Sequence, residues 1–205
     1  MERRLLARML AGAFIDDPVW TAVGPRRRPH RGLTNRLSFW AIVRACERHD
    51  ARIRAARLPD EAPDQRPLGA TIALDPGRWP LPDSSLAWEL PWALVAGPLP
   101  VRRGLALDHS MRRGHITRPH VYLWFIGVDP ERHGTGVGGA LMEELHEHSD
   151  ELGVATYLEA SSGSNVGFYE ALGYRVLGEL SGRNGALLWR MERQPRQTPV
   201  AVGIA

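Results

Sequence analysis

Apolar residues recur along the chain with two different periods, and the period indicates which segments are helical and which are extended. An amphipathic helix is predicted over residues 2–14, because apolar side chains recur there three and four positions apart. A second helix is predicted at 35–49, with Thr34 in the capping position. Short apolar runs at 51–58 and 68–74, separated by a polar, proline-containing turn, predict two strands.

The second half of the chain repeats this alternation. Its predicted elements are helices at 84–96, 100–113 and 166–172, and strands at 121–128, 155–160, 174–180 and 186–191. The last two strands read as a hairpin. Mixed helices and strands predict an α/β (α+β) fold. The length favours a single domain over residues 1–193, followed by a loose tail over 194–205.

The most informative stretch begins with an uncharged strand, Val121–Val128. Asp129–His133 follow it, then four glycines within Gly134–Gly139, and then the apolar pattern of a helix from Ala140. Glycines let a backbone approach a ligand closely, and the first amides of a helix have no partners within it. A strand, a glycine-rich turn and a helix in this order therefore predict a site for a phosphate or pyrophosphate.

Composition narrows the chemistry. All 26 basic residues are arginines, so a P-loop lysine, Schiff-base chemistry and a lysine base are excluded. The single cysteine, Cys46, suits a reducing compartment. Without a long apolar segment or a signal-peptide core, a soluble, cytoplasmic protein without membrane association is expected. A basic loop at 24–31 is a solvated surface, an anion site or, least of all, a contact for nucleic acid.

One alternative for the glycine-rich stretch is a dinucleotide site. Gly134, Gly136 and Gly139 have the spacing G-x-G-x-x-G, and Glu159 lies 20 residues beyond the last of them. Against this, the five residues from 129 to 133 separate the strand from the first glycine. Only 46 residues follow Glu159, too few for the further βα units that such a domain needs.

Residues 121–180 resemble the GNAT family of N-acetyltransferases. The run Ile126-Gly127-Val128 is followed, five residues later, by the family's Gln/Arg-x-x-Gly-x-Gly/Ala pattern, here 133–138. His133 stands where the family usually has Gln or Arg. A second match runs from Leu158 to Asn165 and on through Phe168-Tyr169 to Tyr174. The resemblance implies a GNAT fold with a mixed central sheet of about six or seven strands flanked by helices. It also implies that the 121–128 and 155–160 strands splay apart. The family usually opens with a strand, whereas the first predicted helix begins at Glu2, so we expect that strand to be absent or to lie upstream of this start.

The resemblance further implies acetyl-CoA as acyl donor, with no metal. The residues expected to bind it are Ile126, Gly127, Val128, His133, Gly134, Thr135, Gly136, Val137, Gly138, Gly139 and Asn165. Helix-start amides would bind the pyrophosphate, and a backbone amide near 126–128 would stabilise the thioester oxygen. Asn165 would bind the pantetheine arm, although it could instead cap a helix.

Two catalytic residues are expected from the same resemblance. Tyr169 occupies the family's general-acid position and would protonate the departing thiolate; it could equally be a packed aromatic. Tyr122 stands where some members carry a glutamate. Glu159 is therefore the first choice of base, and the remaining candidates are His115, His120 and Glu89.

The expected reaction is acetyl transfer to a primary amine, with a small antibiotic-like or metabolite amine favoured as acceptor. Tyr122, Trp124 and Trp20, with Trp88 and Trp92, could line an aromatic acceptor pocket or simply pack in the core. The Ala13–Pro18 and Tyr122–Trp124 segments resemble the puromycin acetyltransferase type. Alternatives are acetylation of a protein or peptide, or a silent acyl-CoA-binding module. A homodimer is a weak expectation from the family.

Overall fold

A six-stranded mixed sheet with helices on both faces organises the protein. The computed structural model describes residues 3–58, 65–82, 90–182 and 185–196. The helices are α1 Arg3–Ala13, α2 Pro18–Val23, α3 Arg28–Arg48, α4 Leu90–Ala96, α5 Pro98–Gly114, α6 Val137–Glu151 and α7 Gly163–Ala171. The strands are β1 Arg52–Ala56, β2 Gly69–Leu74, β3 His120–Val128, β4 Ala155–Ala160, β5 Arg175–Ser181 and β6 Leu187–Arg193. The predicted α/β fold is thereby confirmed.

The strands lie in the order β1-β2-β3-β4-β6-β5. All neighbours are antiparallel except β3 and β4, which run parallel in the middle of the sheet. That single parallel pair is joined by the crossover helix α6, as a parallel connection requires. The expected hairpin exists as β5 and β6, shifted by one or two residues from its predicted bounds.

Each face of the sheet has its own apolar core. On one face, Ile72, Leu74 and Tyr122 pack against α1 and α3. On the other, Val121 and Leu123 pack with residues of α6 and α7. Neighbouring strand residues belong to different cores because successive side chains of a strand point to opposite faces.

Two elements near the N-terminus differ from the prediction. The sequence pattern predicts no helix between residues 14 and 35, but Asp17 caps α2 and Pro18 is the first residue of that helix. Helix α3 begins at Arg28 rather than at 35, so Thr34 lies inside it and donates its hydroxyl hydrogen bond to the Arg31 carbonyl. Proline at the first positions is compatible with both helices, because the first amides of a helix have no intrahelical acceptor.

The predicted helix 84–96 can be compared only in its second half, because residues 83–89 lie outside the described part. Helix α5 covers the predicted 100–113 segment with a margin at both ends. No helix in the described ranges is both long enough and apolar enough to cross a membrane.

Candidate active site

The glycine-rich turn, residues 133–139, leads directly into α6. Gly134 and Gly136 have φ values of 76° and 88°, a left-handed conformation that strains other residues. Helix α6 begins at Val137, earlier than the predicted Ala140, and its N-cap Gly136 offers no side-chain cap. The first intrahelical bond runs from the Ala140 amide to the Gly136 carbonyl, at 3.0 Å. The amides of Val137, Gly138 and Gly139, which precede Ala140 in the first turn of the helix, therefore have no intrahelical acceptor and can bind an anion.

This helix start lies between the end of β3 and helix α7. A Cβ placed on Gly138 would lie 3.6 Å from both Val128 and Phe168. The His133 ring lies over the same strand end, with Nε2 3.2 Å from the Val128 carbonyl oxygen. His133 therefore contacts the protein backbone at the position where the family pattern has Gln or Arg. Any anion at this turn would therefore be bound by backbone amides.

The strand β3 carries a β-bulge that the sequence pattern did not reveal. Ile72 pairs with Phe125 and Ala73 with Leu123, so Trp124 is an extra residue. The bulge changes the alternation of the strand: Leu123 and Ile126 face the α6 side, whereas Phe125 packs on the α1 and α3 side. Bulges are frequent beside active sites because they redirect side chains and interrupt pairing.

Strands β3 and β4 part at the same point. Their pairing runs from His120–Ala155 to Leu123–Leu158 and includes no residue beyond Leu123. The expected splay between the two strands is therefore present, and Ile126, Gly127 and Val128 lie in the part of β3 that pairs with β2 but not with β4. Since β4 does not pair with these residues, their backbone N–H and C=O groups on the β4 side are available to a ligand.

Tyr169 lies in α7, on the α6 face of the sheet, and is buried. Its ring packs edge-on against Tyr174, with centroids 5.6 Å apart. Burial, with a smaller contribution from the Asp17 carboxylate, raises the pKa of Tyr169 above its usual value. The phenol therefore remains protonated at neutral pH and is chemically able to donate a proton.

A hydrogen-bonded connection between the start of α2 and the end of β4 was not predicted from the sequence. One carboxylate oxygen of Asp17 accepts hydrogen bonds from the Val19 and Trp20 amides, at 2.9 and 3.0 Å, and the other accepts one from the Ser161 hydroxyl. Because Ser161 directly follows β4, this contact joins the start of α2 to the splayed strand end. The Asp-Pro pair, typical of an N-cap followed by proline, was the available signal.

Asn165 is exposed in the first turn of α7 and does not cap it. The cap is Ser162, whose hydroxyl accepts a hydrogen bond from the Asn165 amide. The alternative interpretation of Asn165 as N-cap is therefore wrong. Its side-chain amide donates to Ser161 at 3.3 Å and so lies beside the splay.

The candidate bases form a buried cluster on the opposite face from Tyr169. The Tyr122 hydroxyl donates a hydrogen bond to Glu159 Oε2 at 2.7 Å. Glu159 Oε1 lies 3.6 Å from His115 Nδ1, and the Glu159 side chain is only 2% exposed. His115 Nε2 lies 3.0 Å from His120 Nε2. Burial and the nearby Glu159 carboxylate raise the pKa of Tyr122 well above its usual value, so that Tyr122 acts as a donor.

Of the aromatic residues expected to line an acceptor pocket, several serve packing. Trp20 stacks on Phe39, with ring centroids 4.7 Å apart, and Tyr122 is 1% exposed. Trp124 is half-buried and packs edge-on against Trp79 at 5.2 Å. Trp88 and Glu89 lie outside the described residues.

The basic segment at 24–31, predicted to be a loop, is helical from Arg28, where α3 begins, and its arginines lie in two environments. Arg28 and Arg31 pair with Asp16, and Arg31 also donates to the Ile15 carbonyl. Arg26 instead borders a cavity of about 600 Å³ between α2 and α5, together with Arg102 and Arg103. Within the described residues, none of these last three guanidinium groups forms an ion pair.

In the described ranges, no three His, Cys, Asp or Glu side chains are grouped so that they could hold a metal ion.

Comparisons with known proteins agree with this geometry. Residues 108–195 match the model of the acetyltransferase (GNAT) domain. An uncharacterized N-acetyltransferase of Schizosaccharomyces pombe is 35% identical over 83 residues, covering 38% of this chain and 35% of that protein. A mycothiol acetyltransferase of Salinispora arenicola is 31% identical over 112 residues, covering 48% and 35%. The chain thus spans about a third of the length of each curated relative.

Among solved structures, one from Corynebacterium glutamicum, described as histone acetyltransferase HPA2 and related acetyltransferase, superposes with a TM-score of 0.68. The match covers 98% of this chain and 96% of that one, at 22% identity. At this identity the likeness shows the fold, and it extends over both faces of the sheet.

Proposed function

Since residues 108–195 match the model of the acetyltransferase (GNAT) domain, we propose that this protein belongs to that family and transfers an acetyl group from acetyl-CoA to a primary amine by direct attack. One observation carries the proposal: the uncapped start of α6 lies beside the point where β3 and β4 separate. The amides at the start of α6, which could bind an anion, thus adjoin the part of β3 whose backbone groups have no partner on β4. A pyrophosphate joined to an extended amide-containing arm, as in CoA, matches both features.

The residues present suit that donor. The amides of Val137, Gly138 and Gly139 would bind the pyrophosphate, and the unpaired backbone of Ile126–Val128 would bind the pantetheine arm. A backbone amide of the same stretch would stabilise the negative charge that develops on the thioester oxygen. Acetyl-CoA supplies the activated acyl group; everything else is positioning and proton transfer by the chain.

Acid and base would act from opposite faces of the sheet. Tyr169, on the α6 and α7 face, would protonate the departing sulfur. Glu159, on the α1 and α3 face, would accept a proton from the amine. This arrangement leaves the amine to approach from the α1–α2 side, where Asp17 and Ser161 border the opening.

For the acceptor, we propose a small amine that carries an anionic group. The cavity between α2 and α5 has the size of a small-molecule site and presents Arg26, Arg102 and Arg103 without carboxylate partners. Helix α2 is six residues long, so this cavity lies roughly 10 Å from Asp17 at the other end of the helix. A carboxylate or phosphate at that distance from the reacting amine would neutralise the arginines.

The cofactor is tested by thermal-shift titration with acetyl-CoA, CoA and NADH. A ligand specific for the folded state at one hundred times its Kd adds about 2.7 kcal/mol of stability. Melting temperatures raised by both CoA species and unchanged with NADH are expected. A shift with NADH alone would instead support the dinucleotide interpretation, and no shift with CoA species would refute the proposal.

Catalysis is tested with Tyr169→Phe in an assay of free thiol release against a panel of amines. We expect kcat to fall by about 10²-fold or more while the affinity for acetyl-CoA stays unchanged, since only a proton donor is lost. An unchanged kcat would remove Tyr169 from the mechanism. Tight acetyl-CoA binding without turnover of any amine would favour the silent binding module.

The acceptor class is tested with Arg102→Ala and Arg103→Ala. Their KM for anionic amines should rise, because each removes a charge from the cavity, whereas KM for neutral amines should not change. Arg113→Ala, at the exposed far end of α5, is the matched control. Equal KM for anionic and neutral amines in all variants would contradict an anionic acceptor.

A further inference from the structure

A chain of polar contacts in the buried cluster fixes where its protons lie. It begins at the Arg118 carbonyl oxygen, 2.7 Å from His120 Nδ1. Because a carbonyl only accepts, His120 Nδ1 must carry a hydrogen. The other nitrogen of a neutral His120 ring, Nε2, is then an acceptor. His115 Nε2, at 3.0 Å, must therefore donate to it.

This order of donors leaves His115 Nδ1 with a lone pair in the neutral ring. The lone pair faces Glu159 Oε1 at 3.6 Å, and neither atom has a hydrogen-bond partner among the described residues although both are buried. Two facing acceptors repel each other, and a buried polar atom without a hydrogen-bond partner destabilises the folded protein. A single proton placed between them would remove both penalties.

Among the described residues, no other charged or titratable group is hydrogen-bonded to Glu159 Oε1 or His115 Nδ1. Tyr122 already donates to the second oxygen of Glu159. Arg190, on the neighbouring β6, donates to the Gly114 carbonyl. Asp108 pairs with Arg112 and Arg118 with Glu192, both outside the cluster. The Tyr157 hydroxyl lies beside the Glu159 carboxylate and is likewise buried without a hydrogen-bond partner among the described residues. Burial, followed by the Glu159 charge, raises the pKa of this hydroxyl, so that it stays protonated.

We propose that His115 and Glu159 form a proton-sharing pair that takes up the proton of the acceptor ammonium. This rests on the acetyltransferase function proposed above. Glu159 is the first residue of β4 beyond its last pairing with β3, at Leu123–Leu158, so it stands at the mouth of the splay. Its carboxylate points to the face from which the amine would approach.

The protons balance along the reaction. An alkylammonium carries three protons on nitrogen, and the secondary amide product carries one. The first proton goes to the His115–Glu159 pair and later to solvent. The second leaves nitrogen after the C–N bond forms and the C–S bond breaks, and it replaces the proton that Tyr169 gives to sulfur.

His120 is a positioning residue in this scheme. Its bond to the Arg118 carbonyl selects the tautomer of His115, and through it the lone pair that faces Glu159. Burial lowers the pKa of His120, which keeps its ring neutral and its Nε2 able to accept. His120 need not touch the substrate to influence the rate.

The proton arrangement is tested by long-range ¹⁵N–¹H correlation NMR on histidine-labelled protein, with His115→Asn and His120→Asn providing assignments. At alkaline pH we expect the hydrogen of His120 on Nδ1 and that of His115 on Nε2. A hydrogen on His115 Nδ1 under those conditions would mean a permanent bond to Glu159 and would overturn the proposal. This spectrum requires no acceptor, so it is decided even if no amine is acetylated.

Its catalytic role is tested by the pH dependence of kcat/KM. Glu159→Gln, nearly isosteric, should lower kcat/KM by about 10²–10⁴-fold and abolish the acid limb of the profile. His120→Phe should displace the acid limb while changing the plateau less. His109→Asn, an exposed histidine on α5, should match the wild type. An unchanged profile in folded Glu159→Gln, with acetyl-CoA binding and turnover intact, would exclude the pair as base and leave the acetyltransferase function standing.

Discussion

The bond between Asp17 and Ser161 gives the sharpest stability prediction, because two substitutions at one position should act in opposite directions. Asp17 caps α2 through two backbone amides and accepts the Ser161 hydroxyl with its other oxygen. Its carboxylate is nevertheless costly: desolvation by burial, which these three hydrogen bonds only partly offset, raises the pKa of Asp17. The fold therefore needs the Asp17 side-chain oxygens as hydrogen-bond acceptors, whereas the negative charge of the carboxylate does not stabilise it.

Asp17→Asn keeps an oxygen for the two amides and offers an N–H to Ser161, but removes the buried charge. At neutral pH we expect it to be at least as stable as the wild type. Asp17→Ala removes the cap and leaves Ser161 without its acceptor, which should cost about 1–3 kcal/mol. Ser161→Ala should cost less than Asp17→Ala, because the cap survives.

The pH dependence follows from the same shift. Because the folded-state pKa of Asp17 lies above its unfolded value of 3.8, the folded protein binds the proton more tightly. The stabilisation that comes from this tighter proton binding is complete below pH 3.8, and it is lost as the pH rises through the folded-state pKa of Asp17. The wild type should therefore lose stability relative to Asp17→Asn across that window, and the two curves should run parallel above it.

Urea unfolding followed by tryptophan fluorescence, repeated at several pH values, measures these differences. Taking the difference between wild type and Asp17→Asn cancels the contribution of the other carboxylates. If Asp17→Asn proves clearly less stable than wild type at neutral pH, the charge itself stabilises the site. The reasoning from burial would then be wrong.

Two further predictions concern the core around the site. Gly127→Ala should destabilise the protein by about 1–3 kcal/mol in urea unfolding, because its Cβ would lie 2.9 Å from Leu10 and 3.1 Å from Ala13 on α1; Gly138→Ala, with contacts of 3.6 Å, is the control that should unfold normally. Burial, followed by the charge of Arg193, lowers the pKa of His146 from 6.5 in the unfolded protein to about 4 in the folded protein. As pH falls between these two values, the wild type should therefore lose up to about 3 kcal/mol of unfolding free energy. His146→Gln should flatten the stability profile there, and an unchanged slope would contradict the shift.

Much of the fold could be predicted from the chain alone. The continuous uncharged run at 121–128 identified the central strand β3, since a strand covered on both faces needs no alternation. The glycines at 134 and 136 indicated the turn before α6, because only glycine adopts their φ values without strain. The α2 helix was missed, because an Asp-Pro pair ends one helix and begins another with the same two residues.

The sequence by itself determined which chemical groups the chain could use. They are the backbone amides of a glycine-rich helix start, the phenol of a Phe-Tyr pair, arginines in place of any lysine, and a carboxylate on a central strand. These groups depend on residue type and on short-range spacing, both of which can be read from the sequence. Tertiary structure decided which groups meet. The bulge at Trp124, the Asp17–Ser161 bond and the contact between His115 and Glu159 join residues far apart in sequence or depend on strand register. No local pattern specifies such contacts, because they follow from how whole elements pack.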